Sequence, residues 1–135
     1  MKPPPDVSFR PELGLLIWKP RGILHEGVVN KVIAFVGDQE AKSDANNLRF
    51  IDTTELTAVD LNFRYVFHVA LYRRLSRQGR PVIKSAFFVN DEALSHYFKL
   101  HALLTDHSPL KVRIFKEREA AAKWLNLSTD ALEIP

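Results

Sequence analysis

The stretch that most constrains the fold of this chain is Pro81-Val82-Ile83-Lys84-Ser85-Ala86-Phe87-Phe88-Val89. Successive side chains of a strand point to opposite faces, and Phe87, Phe88 and Val89 place apolar groups on both. A strand of this kind needs cover on each side, which predicts a central strand in a sheet flanked by helices, as in α/β proteins with parallel sheets.

The flanking patterns predict that cover. Val7–Arg10 and residues 15–19 read as two short strands joined by Pro11-Glu12-Leu13-Gly14, a reversing turn, and so as a hairpin. After Pro20-Arg21-Gly22 and Ile23-Leu24, the residues Val28, Val29, Val32, Ile33 and Val36 recur at helical spacing, which predicts a first helix over residues 25–37. Residues 48–51 read as a strand and residues 52–59 as a loop. Asp60 is placed to accept hydrogen bonds from the free amides that open a second helix. The inward stripe of that helix is read as Phe63, Val66, Phe67, Ala70, Leu71 and Leu75, and Gly79 follows its end.

Asn90-Asp91-Glu92 opens a third helix with Leu94, Tyr97, Phe98 and His101 on one stripe. In residues 110–114 apolar and basic residues alternate, as on an edge strand with one solvated face. Residues 117–126 form the last predicted helix, with Ala120, Ala121, Trp124 and Leu125 inward and Trp124 as its packing anchor. The expected architecture is α/β, a single mixed, mostly parallel five-stranded sheet with about four helices and an antiparallel first strand. Phe67, Leu71, Phe87 and Phe88 are its expected core. Residues 1–6 read as an N-terminal tail, 7–127 as the domain, and 128–135 as a loosely held C-terminal tail.

Composition narrows the function classes. With 135 residues, 46% hydrophobic and 26% charged, one globular core is expected. The absence of cysteine removes disulfides, thiol catalysis and thiolate metal sites, and fits a reducing, cytoplasmic setting. The first six residues carry prolines and an acid where a signal peptide would carry an apolar run, and no stretch is apolar enough for stable membrane insertion. A net charge of +3 argues against a nucleic-acid partner. Arg73, Arg74, Arg77, Arg80 and Lys84 form a candidate basic patch, but no aromatic residues interleave with them.

Three segments carry a resemblance to a known family. They are the hairpin running into Gly22-Ile23-Leu24; Phe50-Ile51-Asp52-Thr53-Thr54-Glu55-Leu56-Thr57-Ala58-Val59-Asp60; and Val112-Arg113-Ile114-Phe115 followed by Glu119-Ala120-Ala121-Ala122-Lys123-Trp124-Leu125. Together they resemble the STAS (SpoIIAA-like) superfamily of sulfate transporters and anti-sigma-factor antagonists, and within it the small stand-alone bacterial STAS-like proteins. The resemblance implies a regulatory module. In the antagonists a phosphorylatable serine follows the second aspartate of the central segment, whereas Asp60 is followed here by Leu61 and Asn62. STAS-like domains are also similar to lipid-transfer CRAL-TRIO folds, which implies an apolar pocket between helices and sheet. Tyr65, Tyr72, Phe87, Phe88, Tyr97 and Phe98 would supply it, unless they are ordinary core.

In open α/β sheets ligands bind beyond the carboxyl ends of the strands. There Asp52, Thr53, Thr54 and Asp60 form the candidate ligand site, beside the free amides of the second helix; alternatively Asp60 only caps and the threonines only turn the chain. His96 and His101 lack the i, i+4 spacing of a metal pair, and the chain carries no hydrolase elbow, Walker loop or dinucleotide fingerprint. The reading is therefore a non-enzymatic binding or regulatory module without cofactor or metal. It would act through a protein partner or a small ligand, with homodimerisation left open; the alternative is a carrier of a lipid or other apolar molecule, and an enzyme comes third. The missing serine makes one expectation testable. Incubation with a serine kinase of the anti-sigma type should leave the entrance of the second helix unmodified, since Leu61 has no hydroxyl. Intact mass and peptide mapping check this, and stoichiometric phosphate on Thr53, Thr54 or Thr57 would contradict it.

Overall fold

The computed structural model describes residues 2–134. In chain order these form β1 (Val7–Arg10), β2 (Leu15–Trp18), β3 (Gly22–His25), α1 (Glu26–Lys42), β4 (Leu48–Asp52), β5 (Leu56–Asp60), α2 (Phe63–Arg77), β6 (Ile83–Phe88), α3 (Glu92–Leu104), β7 (Leu110–Phe115) and α4 (Arg118–Leu125). The main sheet has the order β1-β2-β4-β6-β7. β1 runs antiparallel to β2 and the other pairs are parallel, so the five-stranded mixed sheet is as the sequence predicts. β4 takes the middle place, β6 lies one strand further along, and β7 is the edge.

The order advances one strand at a time, which puts α1, α2 and α3 on one face. Leu16, Trp18, Ile51 and Phe87 pack there against Val32, Phe35 and Val36 of α1 and Phe98 of α3. The alternate residues Leu15, Ile17, Phe50 and Ala86 face the other way, onto Ala121, Ala122 and Leu125 of α4. This is the two-sided cover that Phe87 and Phe88 require; Phe87 is buried, and Phe88 is half-buried and stacked on Phe50 with ring centroids 6.4 Å apart. The hairpin turns through a short 3-10 helix, Pro11–Leu13, and Gly14 at φ 62. A Cβ on Gly14 would lie 2.0 Å from the Ala45 carbonyl oxygen, so only glycine fits where the turn meets the loop after α1.

Several expectations are corrected. Residues 23–24 and the predicted loop 52–59 contribute strands, because β3 and β5 pair in parallel as a separate two-stranded sheet. Each is too short to show a period, and the pairing joins segments more than thirty residues apart. Helix α1 continues to Lys42. Helix α2 is capped by Asn62, whose Oδ1 accepts from the Tyr65 amide at 2.7 Å, while Asp60 lies at the end of β5.

The largest correction concerns the rotation of α2. Its buried residues are Val66, Ala70, Arg73 and Arg77, whereas Phe67 is 48% and Leu71 44% exposed, with Phe63 and Leu75 also outward. Phe67 and Leu71 are therefore not core. In α4 the inward residues are Ala121, Ala122 and Leu125; Ala120 is exposed. Trp124 is half-buried, its ring 5.7 Å from that of Phe115 and flanked by the Lys84 and Arg113 cations. It packs over β6 and β7 against the core cluster beneath α4, as expected of an inward residue, although it is not fully buried.

Residues 128–134 are not a loose tail. Thr129–Leu132 forms a 3-10 helix whose Leu132 is buried with Leu15 and Ile17. The Glu133 carbonyl accepts from Arg10 at 2.6 Å and its carboxylate from Arg118 at 2.7 Å. Of the predicted tail segments, Met1 and Pro135 lie outside the described residues; Asp6 accepts from the Lys19 amide at 3.0 Å and pairs with Arg21.

The rotation of α2 is checked by two truncations. Phe67→Ala should leave stability within about 0.5 kcal/mol, as at an exposed site. Phe35→Ala, in the core beneath α1, should cost about 3–5 kcal/mol. Denaturant unfolding measures both, and equal losses would place Phe67 in the core after all.

Candidate functional site

At the carboxyl ends of the strands the structure brings Asp52, Thr53 and Thr54 together but leaves Asp60 apart. β5 carries the chain away from them by roughly 13 Å at strand rise. Asp52 is buried and already engaged: Oδ1 accepts from the Thr54 amide at 3.0 Å and hydroxyl at 2.6 Å, and Oδ2 from Arg118 at 3.0 Å. Lys19 stands 3.9 Å away. The Thr53 hydroxyl donates to the Phe88 carbonyl at 2.8 Å. Arg118 opens α4 and also holds Glu133, so the predicted ligand residues fasten α4 and the C-terminal segment to the sheet. Thr54 and Asp60 have no common partner, and the four residues do not converge on one pocket.

The cavity lies elsewhere, between α1, α2, α3 and the sheet. It measures about 140 Å³ and is lined mainly by apolar side chains, among them Leu16, Val36, Val69 and Phe98. α2 packs against α3, and the space opens where α2 stands off from α1. Polar contacts bridge that gap near both ends of α2. Near the start of α2 the Tyr65 hydroxyl donates to Asn30 Oδ1 of α1 at 2.5 Å. Near its end Arg73 donates through both terminal nitrogens to Glu40 of α1, at 3.0 and 2.6 Å. Of the six aromatic residues expected around an apolar pocket, Tyr65, Phe87, Tyr97 and Phe98 line this space, Tyr72 points to solvent, and Phe88 packs with Phe50 on the opposite face of the sheet.

Its polar end is a buried ion cluster. Glu40, 5% exposed, accepts from Arg49 at 3.0 Å as well as from Arg73, and Arg77 lies 3.8 Å away. Burial pushes the Glu40 carboxyl up, but hydrogen bonds and charges from Arg73 and Arg49 outweigh it and hold the group below the usual carboxylate range. Burial lowers the Arg49 guanidinium to about 10, which leaves it charged at neutral pH. Arg49 also donates to the carbonyls of Leu48 and Asn46. Two buried donors on the cavity lining, Trp18 Nε1 and Arg49 Nε, have no hydrogen-bond partner among the described residues.

The candidate basic patch is dispersed by these contacts. Arg73 and Arg77 turn inward to Glu40, Arg74 donates to the Leu104 and Asp106 carbonyls, Arg80 reaches Asp44, and Lys84 donates to the Trp124 carbonyl. The sequence pattern placed Arg73 and Arg77 in a candidate basic patch and gave no notice of Glu40 and Arg49. The available signal was the placement of arginines on the same helical stripe as Val66 and Ala70, which only a buried carboxylate makes tolerable.

No family model, curated protein or solved structure matches this chain. The STAS-like resemblance thus rests on the sequence segments that carry it. Among the described residues no helix is long and apolar enough to cross a membrane.

His101 of α3 lines the cavity beside Phe87, with ring centroids 6.0 Å apart. Burial, with a smaller contribution from the Arg73 charge, lowers its pKa from 6.5 to about 4. The unfolded chain therefore takes up this proton first as pH falls, and stability drops between about pH 6.5 and pH 4. Above about pH 4.5 the Glu40 contribution is still intact, because its folded pKa is depressed. Urea unfolding of the wild type should lose about 2 kcal/mol between pH 7 and pH 4.5 through this group, and His101→Leu should remove that part of the slope. An identical slope in the variant would show that His101 is not held neutral.

Proposed function

We propose that this domain is a non-enzymatic binding module that takes up a small apolar molecule in the cavity between α1, α2, α3 and the sheet. The observation that carries the reading is the space itself: about 140 Å³, mostly apolar, with Trp18 and Arg49 on its wall, each holding one buried nitrogen that has no partner among the described residues. A cavity of about 150 Å³ accommodates benzene, so the fit is to a compound of some six to nine heavy atoms and not to a two-chain lipid. The Tyr65–Asn30 contact ties α2 to α1 beside the cavity, whose wall includes Tyr65. The strand-end site of the STAS-like expectation is the weaker alternative, because Asp52 and Thr53 already spend their hydrogen bonds within the fold.

A second reading, contact with another protein, is supported by the outer face of α2. Phe63, Phe67, Leu71 and Leu75 recur every four residues and are all exposed, with Tyr72 beside them. Contiguous apolar surface of this kind marks interaction sites more often than chance exposure does.

The two readings separate experimentally. With 1-hexanol in about hundredfold excess over its Kd, the melting temperature of the wild type should rise by several degrees. Val69→Phe, which fills the cavity, should abolish that rise. An unresponsive wild type, or an equal rise in the variant, overturns the cavity reading. The pair Phe67→Glu and Leu71→Glu should leave the hexanol response intact while preventing association through α2.

A further inference from the structure

The ion cluster at one end of the cavity is not neutral. Glu40 is the one carboxylate within it, and it faces three guanidiniums, those of Arg49, Arg73 and Arg77, all buried. Arginine stays protonated in proteins, so the group carries a net charge of +2 by simple count. Asp44, the next acid, is exposed and paired with the exposed Arg80. Uncompensated buried charge is costly, and the carbonyls of Leu48, Asn46 and Pro81 relieve it only as dipoles. Two of the three guanidiniums, Arg49 and Arg73, belong to the wall of the cavity. Arg49 is 4% exposed, and its Nε–H has no partner among the described residues.

Resting on the cavity reading above, we infer that the ligand is a small amphiphilic monoanion, an apolar carboxylate, with its head against Arg49 and Arg73 and its apolar part among Val36, Val69 and Phe98. The chemistry at both ends supports this class. The terminal nitrogens of Arg49 and Arg73 are spent on Glu40 and on backbone carbonyls, so a carboxylate would accept from Arg49 Nε–H, in a charge-assisted hydrogen bond about twice as strong as a neutral one. One negative charge lowers the imbalance of the cluster without the dehydration cost of a dianion. The remaining lining offers apolar contact, so a bare anion would leave most of the cavity unfilled.

Three probes test the inference on the intact protein: hexanoate, 1-hexanol and acetate, each titrated by calorimetry at pH 7. Hexanoate should bind at least about tenfold more tightly than hexanol, and acetate should not bind measurably. Hexanol binding as tightly as hexanoate would overturn the anion assignment while leaving the cavity reading intact. Acetate binding as tightly as hexanoate would reduce the site to a bare anion site and overturn the amphiphile. If neither six-carbon probe binds, or if hexanoate binding survives Val69→Phe, the cavity reading fails and the inference with it.

A nitrogen-detected or ¹⁵N-correlated NMR spectrum gives a second readout without a loss-of-charge variant. Hexanoate should shift the Arg49 Nε–H resonance, identified by its disappearance in Arg49→Lys, and hexanol should leave it nearly in place. An Arg49 signal unmoved by saturating hexanoate would overturn the placement of the head group.

Discussion

A single carboxylate joins the three elements on which the helical face of this domain depends. Glu40 sits near the end of α1, Arg49 near the start of β4, and Arg73 and Arg77 on the last turns of α2. Glu40 is the shared partner, and removing it would leave three buried guanidiniums without a counter-charge, a break that commonly costs about 3–5 kcal/mol. The cluster therefore does more than add a contact. It fixes which face of α2 turns toward the sheet, and it sets how far α2 stands from α1.

The rotation of α2 follows from that requirement. Phe63, Phe67, Leu71 and Leu75 make an apolar row, and hydrophobicity alone would bury it. Burying that row would turn Arg73 and Arg77 away from Glu40. The arrangement in the structure keeps Val66 and Ala70 inward with the two arginines and leaves the row of phenylalanines and leucines outside. A helix with apolar residues on two faces can satisfy only one of them within a small domain, and here the unpaired charge outweighs the exposed rings. The same choice opens the cavity, since the space beside α1 is lined by the smaller residues Val66 and Val69 and not by Phe67.

The two ends of the sheet have opposite characters. At the carboxyl ends of the strands, Asp52, Thr53, Arg118 and Glu133 complete one another, and the result is a fastening for α4 and the C-terminal segment. Toward the amino ends, beneath α1 and α2, donors outnumber acceptors and an apolar space adjoins them. A site already satisfied by its own residues has little affinity left for a ligand. Unspent hydrogen-bonding capacity beside an apolar cavity marks where a ligand would be stabilised.

Much of the scaffold was legible in the sequence because it depends on local patterns. The double parity of Phe87 and Phe88 announced a strand covered on both faces, the alternation of Leu110 to Ile114 announced an edge, and Pro11 and Gly14 announced the reversal between β1 and β2. Those features act within a few residues, where backbone geometry and side-chain period are decisive. What only the tertiary structure decided are the relations between distant segments: the pairing of β3 with β5, the docking of Leu132 on Leu15 and Ile17, and the meeting of Glu40 with Arg49, Arg73 and Arg77. Hydrophobic periodicity reports that a residue prefers to leave water. It carries no information on whether a buried charge elsewhere in the chain will claim the same helical face, and in α2 that charge prevailed.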